Sequence, residues 1–202
     1  TFANEFNLIS NYFSANNNIL QKIFLSDKKL NISTKYLQPG LPFGGSCLPK
    51  DVSALNSFLV SKKIPLPMIN NINKSNNLQI KFQSQKLSYL KNQNILCLGY
   101  SFKSNSDDCR ESPILKILVN IKMKADKNIY LYDKNVDLDN LYGANFKFIE
   151  KIKNKVKFIN NDYLVNLKNI NKIIIFNNFD FYHNLISKKF KYLDNKNVIF
   201  FK

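Results

Sequence analysis

Cysteine, histidine and glycine are all scarce in this chain, and each scarcity closes off a class of function. The three cysteines, Cys47, Cys97 and Cys109, have no paired spacing and an odd count, which argues against a disulfide framework and for a reducing compartment. His183 is the one histidine. It falls in a helical stretch with no ligand spacing, so it reads as a surface residue and no metal centre is expected. No apolar run is long enough to span a bilayer, and no charged start followed by an apolar run opens the chain. A soluble, cytoplasmic protein without a membrane partner is therefore expected. Acidic residues are few as well: 14 Asp and Glu stand against 30 Lys and Arg, for a net charge of +16. The lysines are scattered, with short pairs such as Lys28-Lys29, Lys62-Lys63 and Lys188-Lys189 and no arginine-rich tract or aromatic-stacking signature. The charge reads as compositional bias alongside abundant asparagine and isoleucine, and no nucleic-acid partner is expected. Such a field would still draw in an anionic small molecule, a nucleotide for example.

What is present suffices for a core. Hydrophobic residues make up 45% and charged residues 22% of 202 positions, ordinary globular values for one large domain or two small ones. Thr1 stands inside an amphipathic pattern, which suggests a piece of a longer protein. Residues 1–90 read as helical. Phe2, Phe6, Ile9 and Phe13 form one apolar face, the run Asn16-Asn17-Asn18 ends that helix, and Ile19, Leu20, Ile23 and Phe24 begin another. A loop over 26–46 precedes a helix over 47–62, and Pro65 and Pro67 separate it from a long helix to about Leu90. From residue 91 short apolar runs alternate with helical patterns: strands over 94–99, 128–133, 155–159, 172–176 and 197–201, with helices through about Met123, near 162–167 and near 181–190. The expected fold class is α/β: a central helical domain over 1–90, then a Rossmann-like, doubly wound parallel sheet over 91–202.

The scarce glycines are concentrated. Pro39-Gly-Leu-Pro-Phe-Gly-Gly-Ser-Cys-Leu-Pro-Lys-Asp51 holds three of five glycines and three of six prolines, which implies a sharp bend or a close approach of backbone to a ligand. Leu48, Val52, Leu55 and Leu59 then fall at helical spacing, so the turn opens a helix, with Ser46 as the expected N-cap and Pro49 tolerated in the first turn. Cys47 thus sits at a helix N-terminus with Lys50 and Asp51 close by, an activated-thiol arrangement. On this evidence alone a buried structural cysteine competes with that reading. Likewise Cys97, in a strand, reads as a core thiol, and Cys109 as an exposed one.

A second cluster, Gly99-Tyr-Ser-Phe-Lys-Ser-Asn-Ser-Asp-Asp-Cys-Arg-Glu-Ser-Pro113, follows the first strand of the second half, where open α/β sheets bind ligands. Lys103 and Arg110 are candidates for phosphate or sugar oxygens, with Asp107 and Asp108 holding Arg110. A polar loop with a self-satisfied Asp–Arg pair fits equally well. The Gly-x-Gly-x-x-Gly dinucleotide fingerprint is absent, so this half is a poor candidate for a standard dinucleotide site.

Together, Phe43-Gly-Gly-Ser-Cys-Leu-Pro-Lys-Asp51 and Phe102-Lys-x-x-x-Asp-Asp-x-Arg-Glu-Ser-Pro113 closely resemble the UDP-glucose/GDP-mannose dehydrogenase family, over essentially the whole chain. Thr1-Phe-Ala-Asn-Glu5 resembles the start of that family's long central helix. The segments Lys29-Leu-Asn-Ile-Ser33 and Tyr36 to Asp51 look most like the members that act on GDP-mannose. The resemblance implies NAD-dependent oxidation of a nucleotide-sugar C6 alcohol to a carboxylate in two steps, with a homodimer formed through the central helices. It implies that Cys47 is the nucleophile that traps the aldehyde as a thiohemiacetal and then carries a thioester, with Asp51 assisting water and proton handling. By the same resemblance Lys50 and Arg110 contact NAD, Lys103 binds the sugar nucleotide, and Asn4, Tyr36, Gln38, Leu41 and Gly44 match substrate-contacting positions.

The departures lie on the substrate side. An arginine is expected at Gln38, an aromatic at Lys35 and a phenylalanine at Leu41, so UDP-glucose stays open beside GDP-mannose. The family's NAD-binding domain, together with a catalytic lysine and asparagine, is expected to precede Thr1. A non-catalytic nucleotide-sugar-binding module that uses Cys47 structurally is the competing function.

Overall fold

The computed structural model describes residues 1–26, 37–90, 93–124 and 128–201. Tyr36, an expected substrate contact, lies outside them. Four helices come first: α1 (Phe2–Tyr12), α2 (Asn17–Leu25), α3 (Leu48–Ser61) and α4 (Pro67–Lys86). Asn16 separates the first two by capping α2, its side-chain oxygen accepting from the Asn18 and Ile19 amides at 3.1 and 3.2 Å. Pro67 starts α4 at the first helical position, where a missing N–H costs nothing.

The remaining elements are β1 (Asn94–Leu98), α5 (Pro113–Lys124), β2 (Asn128–Tyr132), α6 (Gly143–Ile152), β3 (Lys157–Phe158), α7 (Asn161–Asn166), β4 (Lys172–Ile175), α8 (Phe179–Lys189) and β5 (Val198–Phe200). All strand pairs are parallel, in the order β3-β2-β1-β4-β5. The α/β expectation with a doubly wound sheet therefore holds. The sequence reading did not include α6. Its first turn follows Tyr142, an extended residue with no side-chain cap, so the usual Ser, Thr, Asp or Asn start signal is missing. The spacing of Phe148, Ile149 and Ile152 was the signal available.

Alternation along the strands sorts the core onto two faces. Ile95 and Cys97 of β1 join Ile129, Leu131 and Ile174 beneath side chains of α4, α5 and α6. Leu96 and Leu98 join Tyr132, Ile173 and Ile175 against Leu164 of α7 and Tyr182 and Ile186 of α8. Each such buried side chain contributes about 1.5–3 kcal/mol relative to exposure. Ile80, Leu87 and Leu90 belong to the first of these cores, so the last of the early helices is part of the sheet's own packing.

The glycine-rich turn before α3 is seated directly on the loop between β1 and α5. A Cβ added to Gly44 would lie 2.3 Å from the Glu111 carbonyl oxygen and 2.6 Å from Pro113 Cδ. Gly45, at φ +83°, faces the Phe102 ring, which such a Cβ would meet at 2.9 Å. Glu111 itself is held at φ 51°, a left-handed conformation rare outside glycine. Gly40, in the same segment, has nothing within 4 Å. Gly44→Ala is therefore expected to destabilise the chain by about 1–3 kcal/mol through overpacking against backbone, and Gly40→Ala to be nearly neutral. Urea midpoints compare them, and equal midpoints would remove the close contact from the account.

Candidate functional site

Leu41 to Lys50 leads into α3, and the cap position of that helix is Cys47 itself. Ser46 does not cap it as expected. Cys47 has helical backbone angles (φ −86°, ψ −62°) and no side-chain cap bond forms; the Ser46 hydroxyl lies 3.7 Å from Cys47 Sγ instead. The thiol is exposed, and the Asp51 amide donates to the Cys47 carbonyl at 2.8 Å as the first bond of the helix. Lys50 and Asp51 occupy the same first turn and pair at 3.7 Å, with 74% and 66% of their side chains exposed. A pair so open adds at most about 1 kcal/mol and holds neither group rigidly.

The turn is built by side chains from two helices. Asn4 Oδ1 on α1 accepts from the Gly40 N–H at 2.9 Å. Asn76 on α4 accepts from the Phe43 N–H and donates to the Phe43 carbonyl, each at 2.9 Å. Leu41 packs against the sheet-side core, and Gln38 is exposed. Asn4, Leu41 and Gly44, expected at the substrate, are thus engaged in placing the turn.

The facing loop, 99–112, is fastened at several points. Asp133 at the end of β2 accepts from the Ser101 N–H at 2.8 Å and the Asn135 N–H at 3.0 Å. The Ser112 hydroxyl donates to the Tyr100 carbonyl at 2.8 Å, and Phe102 N–H to the Asp108 carbonyl at 2.7 Å. Asn145 on α6 accepts from the Cys109 N–H and donates to the Asp107 carbonyl, both at 2.8 Å. Cys109 is consequently buried, not exposed as expected, and burial pushes its thiol well above the ordinary value, as it does for Cys97. Asn76, Asp133 and Asn145 were all missed by sequence reasoning, because a lone polar residue on a helix or strand end carries no pattern.

Within this loop Arg110, the chain's only arginine, donates from Nε and Nη2 to the two carboxylate oxygens of Asp108, each at 2.9 Å. Asp108 alone makes this pair; Asp107 contributes through its charge and its backbone carbonyl. The Arg110 hydrogen bond holds the Asp108 carboxyl below the usual range, and Asp108 in turn raises Arg110. The two directions agree, as a fork-to-fork pair requires. Arg110 lies within electrostatic reach of Cys47, and Asp108 within that of Lys103, which is exposed with Nζ 5.9 Å from the Phe102 ring centre. The structure therefore brings Cys47, Arg110, Asp108 and Lys103 into one electrostatic neighbourhood, on two segments joined at Gly44 and Gly45. Exposed thiol, cations and a helix N-terminus together can take a nucleophile and an anionic ligand side by side.

Comparison with known proteins places this arrangement. GDP-mannose 6-dehydrogenase of Pseudomonas syringae pv. tomato is 32% identical over 189 residues, covering 93% of this chain and 43% of the relative. UDP-glucose 6-dehydrogenase of Rickettsia prowazekii is 35% identical over 105 residues, covering 50% of this chain and 24% of the relative. Among solved structures, a ternary complex of GDP-mannose dehydrogenase from Pseudomonas aeruginosa superposes with a TM-score of 0.60 at 29% identity, over 93% of this chain and 43% of that one. A UDP-glucose dehydrogenase from Pyrobaculum islandicum shares the fold at a TM-score of 0.66 and 24% identity, over 90% of this chain and 40% of that one. The chain spans less than half the length of each of these relatives. Residues 1–78 match the central domain, and residues 96–201 the UDP binding domain, of one family; the chain belongs to the UDP-glucose/GDP-mannose dehydrogenase family.

Proposed function

We propose that this chain carries the reactive cysteine and the nucleotide-sugar-binding part of an NAD-dependent nucleotide-sugar 6-dehydrogenase that converts GDP-mannose to GDP-mannuronate. The observation that carries the reading is the exposed Cys47 thiol at the N-terminus of α3, on a turn whose Gly44 backbone packs against Glu111, the residue after Arg110. Cys47 Sγ adds to the C6 aldehyde carbon: the C–S bond forms as the carbonyl π bond opens, and the thiol proton ends on the oxygen as the thiohemiacetal hydroxyl. Once the second hydride has left C6, water opens the thioester, the C–S bond breaks and the thiolate returns. Asp51, one helical turn beyond Cys47, takes the proton of that water.

Substrate contact is assigned to Lys103 on the facing loop and to Gln38 at the start of the turn, with Tyr36 assigned from the sequence motif alone. Lys103 supplies a point charge for the diphosphate. Asn4, Leu41 and Gly44 act beneath them by shaping the turn. The residues suit one flank of an NAD site. Arg110 is 43% exposed although fixed by Asp108, Lys50 is exposed, and both would hold polar groups of the dinucleotide. NAD, when bound, supplies the acceptor for the hydride removed at each oxidation. The hydride steps belong to the whole protein. Exposed Ile19 and Ile23 on α2 support a homodimer through the early helices. Among the described residues no helix is long and apolar enough to cross a membrane.

Thermal shift of the chain separates the candidate substrates. GDP-mannose at about 100 times its Kd would add roughly 2.7 kcal/mol of stability. It is expected to raise Tm more than equal UDP-glucose, and Lys103→Ala to remove most of that rise. A larger rise with UDP-glucose would reassign the substrate, and none with either would sink the reading.

The Asp108–Arg110 pair predicts an acid limb. A carboxyl lowered in the folded state contributes stability that is complete above its ordinary value of about 4. The contribution fades as pH falls from there through the lowered folded value. Urea midpoints of Asp108→Asn should accordingly fall less steeply than wild type below about pH 4. Parallel curves would deny the pair any part in acid stability.

A further inference from the structure

Asn76 lies on α4, remote in sequence from both loops, and only 8% of it is exposed. Its neighbours on α4 each spend a single donor: Asn71 Nδ2 on the Pro67 carbonyl, Asn73 Nδ2 on the Ser53 hydroxyl of α3 at 3.1 Å, and the Ser75 hydroxyl on Glu5 of α1. Asn76 instead uses both ends of its amide on a single residue of another segment, the N–H and the carbonyl of Phe43. A buried amide matched in this way cannot turn without orphaning two backbone groups. Phe43 precedes Gly44, whose Cα rests against the Glu111 carbonyl and Pro113, and Cys47 follows four residues on.

The far side of α4 closes a ring. Ile80 enters the sheet core, and the Ser84 hydroxyl lies 3.3 Å from the Ile117 carbonyl of α5. That helix starts at Pro113, three residues after Arg110. Cysteine turn, Asn76, α4, α5, Pro113 and Glu111 thus form a closed circuit of contacts, with Cys47 and Arg110 on its rim. Among the described residues, Asn76 supplies the hydrogen bonds that tie the turn to α4.

We infer that Asn76 is a positioning residue for Cys47: by gripping Phe43 it holds the cysteine turn against Glu111, beside the loop that carries Arg110. The inference rests on the proposed reading of Cys47 as the reacting thiol.

The test measures the second-order rate of iodoacetamide with Cys47 by peptide mass spectrometry, in the chain and its Asn76→Ala and Asn76→Asp variants. Buried Cys97 and Cys109 report the fold in the same spectra. Asn76→Ala should slow Cys47 roughly tenfold, the equilibrium weight of about one net hydrogen bond, with Cys97 and Cys109 still protected. Asn76→Asp adds a signature that packing alone would not produce. Its protonated carboxyl can still both accept and donate, whereas the ionised form cannot donate to the Phe43 carbonyl. The variant-to-wild-type rate ratio should therefore start near one in acid and fall as pH rises. Should Asn76→Ala expose Cys97 and Cys109, that pH-dependent ratio decides. Unchanged Cys47 rates with the buried thiols protected, a pH-independent ratio, or an Asp variant unfolded even in acid would each overturn the inference. Wild-type Cys47 reacting no faster than a cysteine peptide would overturn the reading of Cys47 as an activated nucleophile instead, so the two failures are distinguishable.

Discussion

The contact between the Gly44 backbone and the Glu111 carbonyl is the constraint on which the site depends. It brings a turn from the helical half onto a loop from the sheet half with no side chain between them, at a separation that even a methyl group would not allow. Both partners carry a conformational cost. Gly45 is left-handed beside Gly44, and Glu111 is left-handed without being glycine, a state that persists when its surroundings over-determine it. Those surroundings are the Lys116 ammonium on its carboxylate, the bond from the Ser112 hydroxyl to the Tyr100 carbonyl, and Pro113 opening α5.

From that contact the chemistry follows by proximity. Cys47 and Arg110 are separated by most of a domain in sequence, and neither motif alone makes an electrostatic site. Seated together, the turn that carries an exposed thiol at a helix start packs on the loop whose guanidinium is oriented by Asp108. Orientation by a carboxylate costs the arginine some of its attraction for other anions, but it fixes the direction in which the remaining charge is offered. Lys103, exposed and unconstrained by such a fork, is the better partner for a mobile diphosphate.

Much of the architecture was readable beforehand because it rests on period. The strands of 94–99, 128–133 and 172–176 are apolar runs bounded by turns, and burial on both faces of a parallel sheet demands such runs. The helix 143–152 was not read because a helix without a capping residue announces itself only through its apolar spacing. The residue type of Ser46 favours the cap, but α3 starts at Leu48 with Cys47 at the cap position, which leaves the serine one position too early. Cys109 looked exposed because its sequence neighbours are charged. Its side chain instead joins the hydrophobic core, while Asn145 on α6 holds its backbone amide.

By itself the sequence determined the two motifs, the residue types at their chemical positions and the α/β order of elements, since each is written in local spacing and composition. Tertiary structure alone decided which of those residues face each other. Asp108 rather than Asp107 takes Arg110, Asn4 and Leu41 build the turn, and Asn76 fixes its place. The placing of the turn depends on close approach between segments far apart in sequence, whereas the Asp108–Arg110 pair lies within one loop whose bend selects between neighbouring carboxylates; neither leaves a mark in a local pattern. The glycines at 44 and 45 are the exception: the absence of a side chain is itself a residue type, so the sequence announced a tight contact, and the fold named the partner.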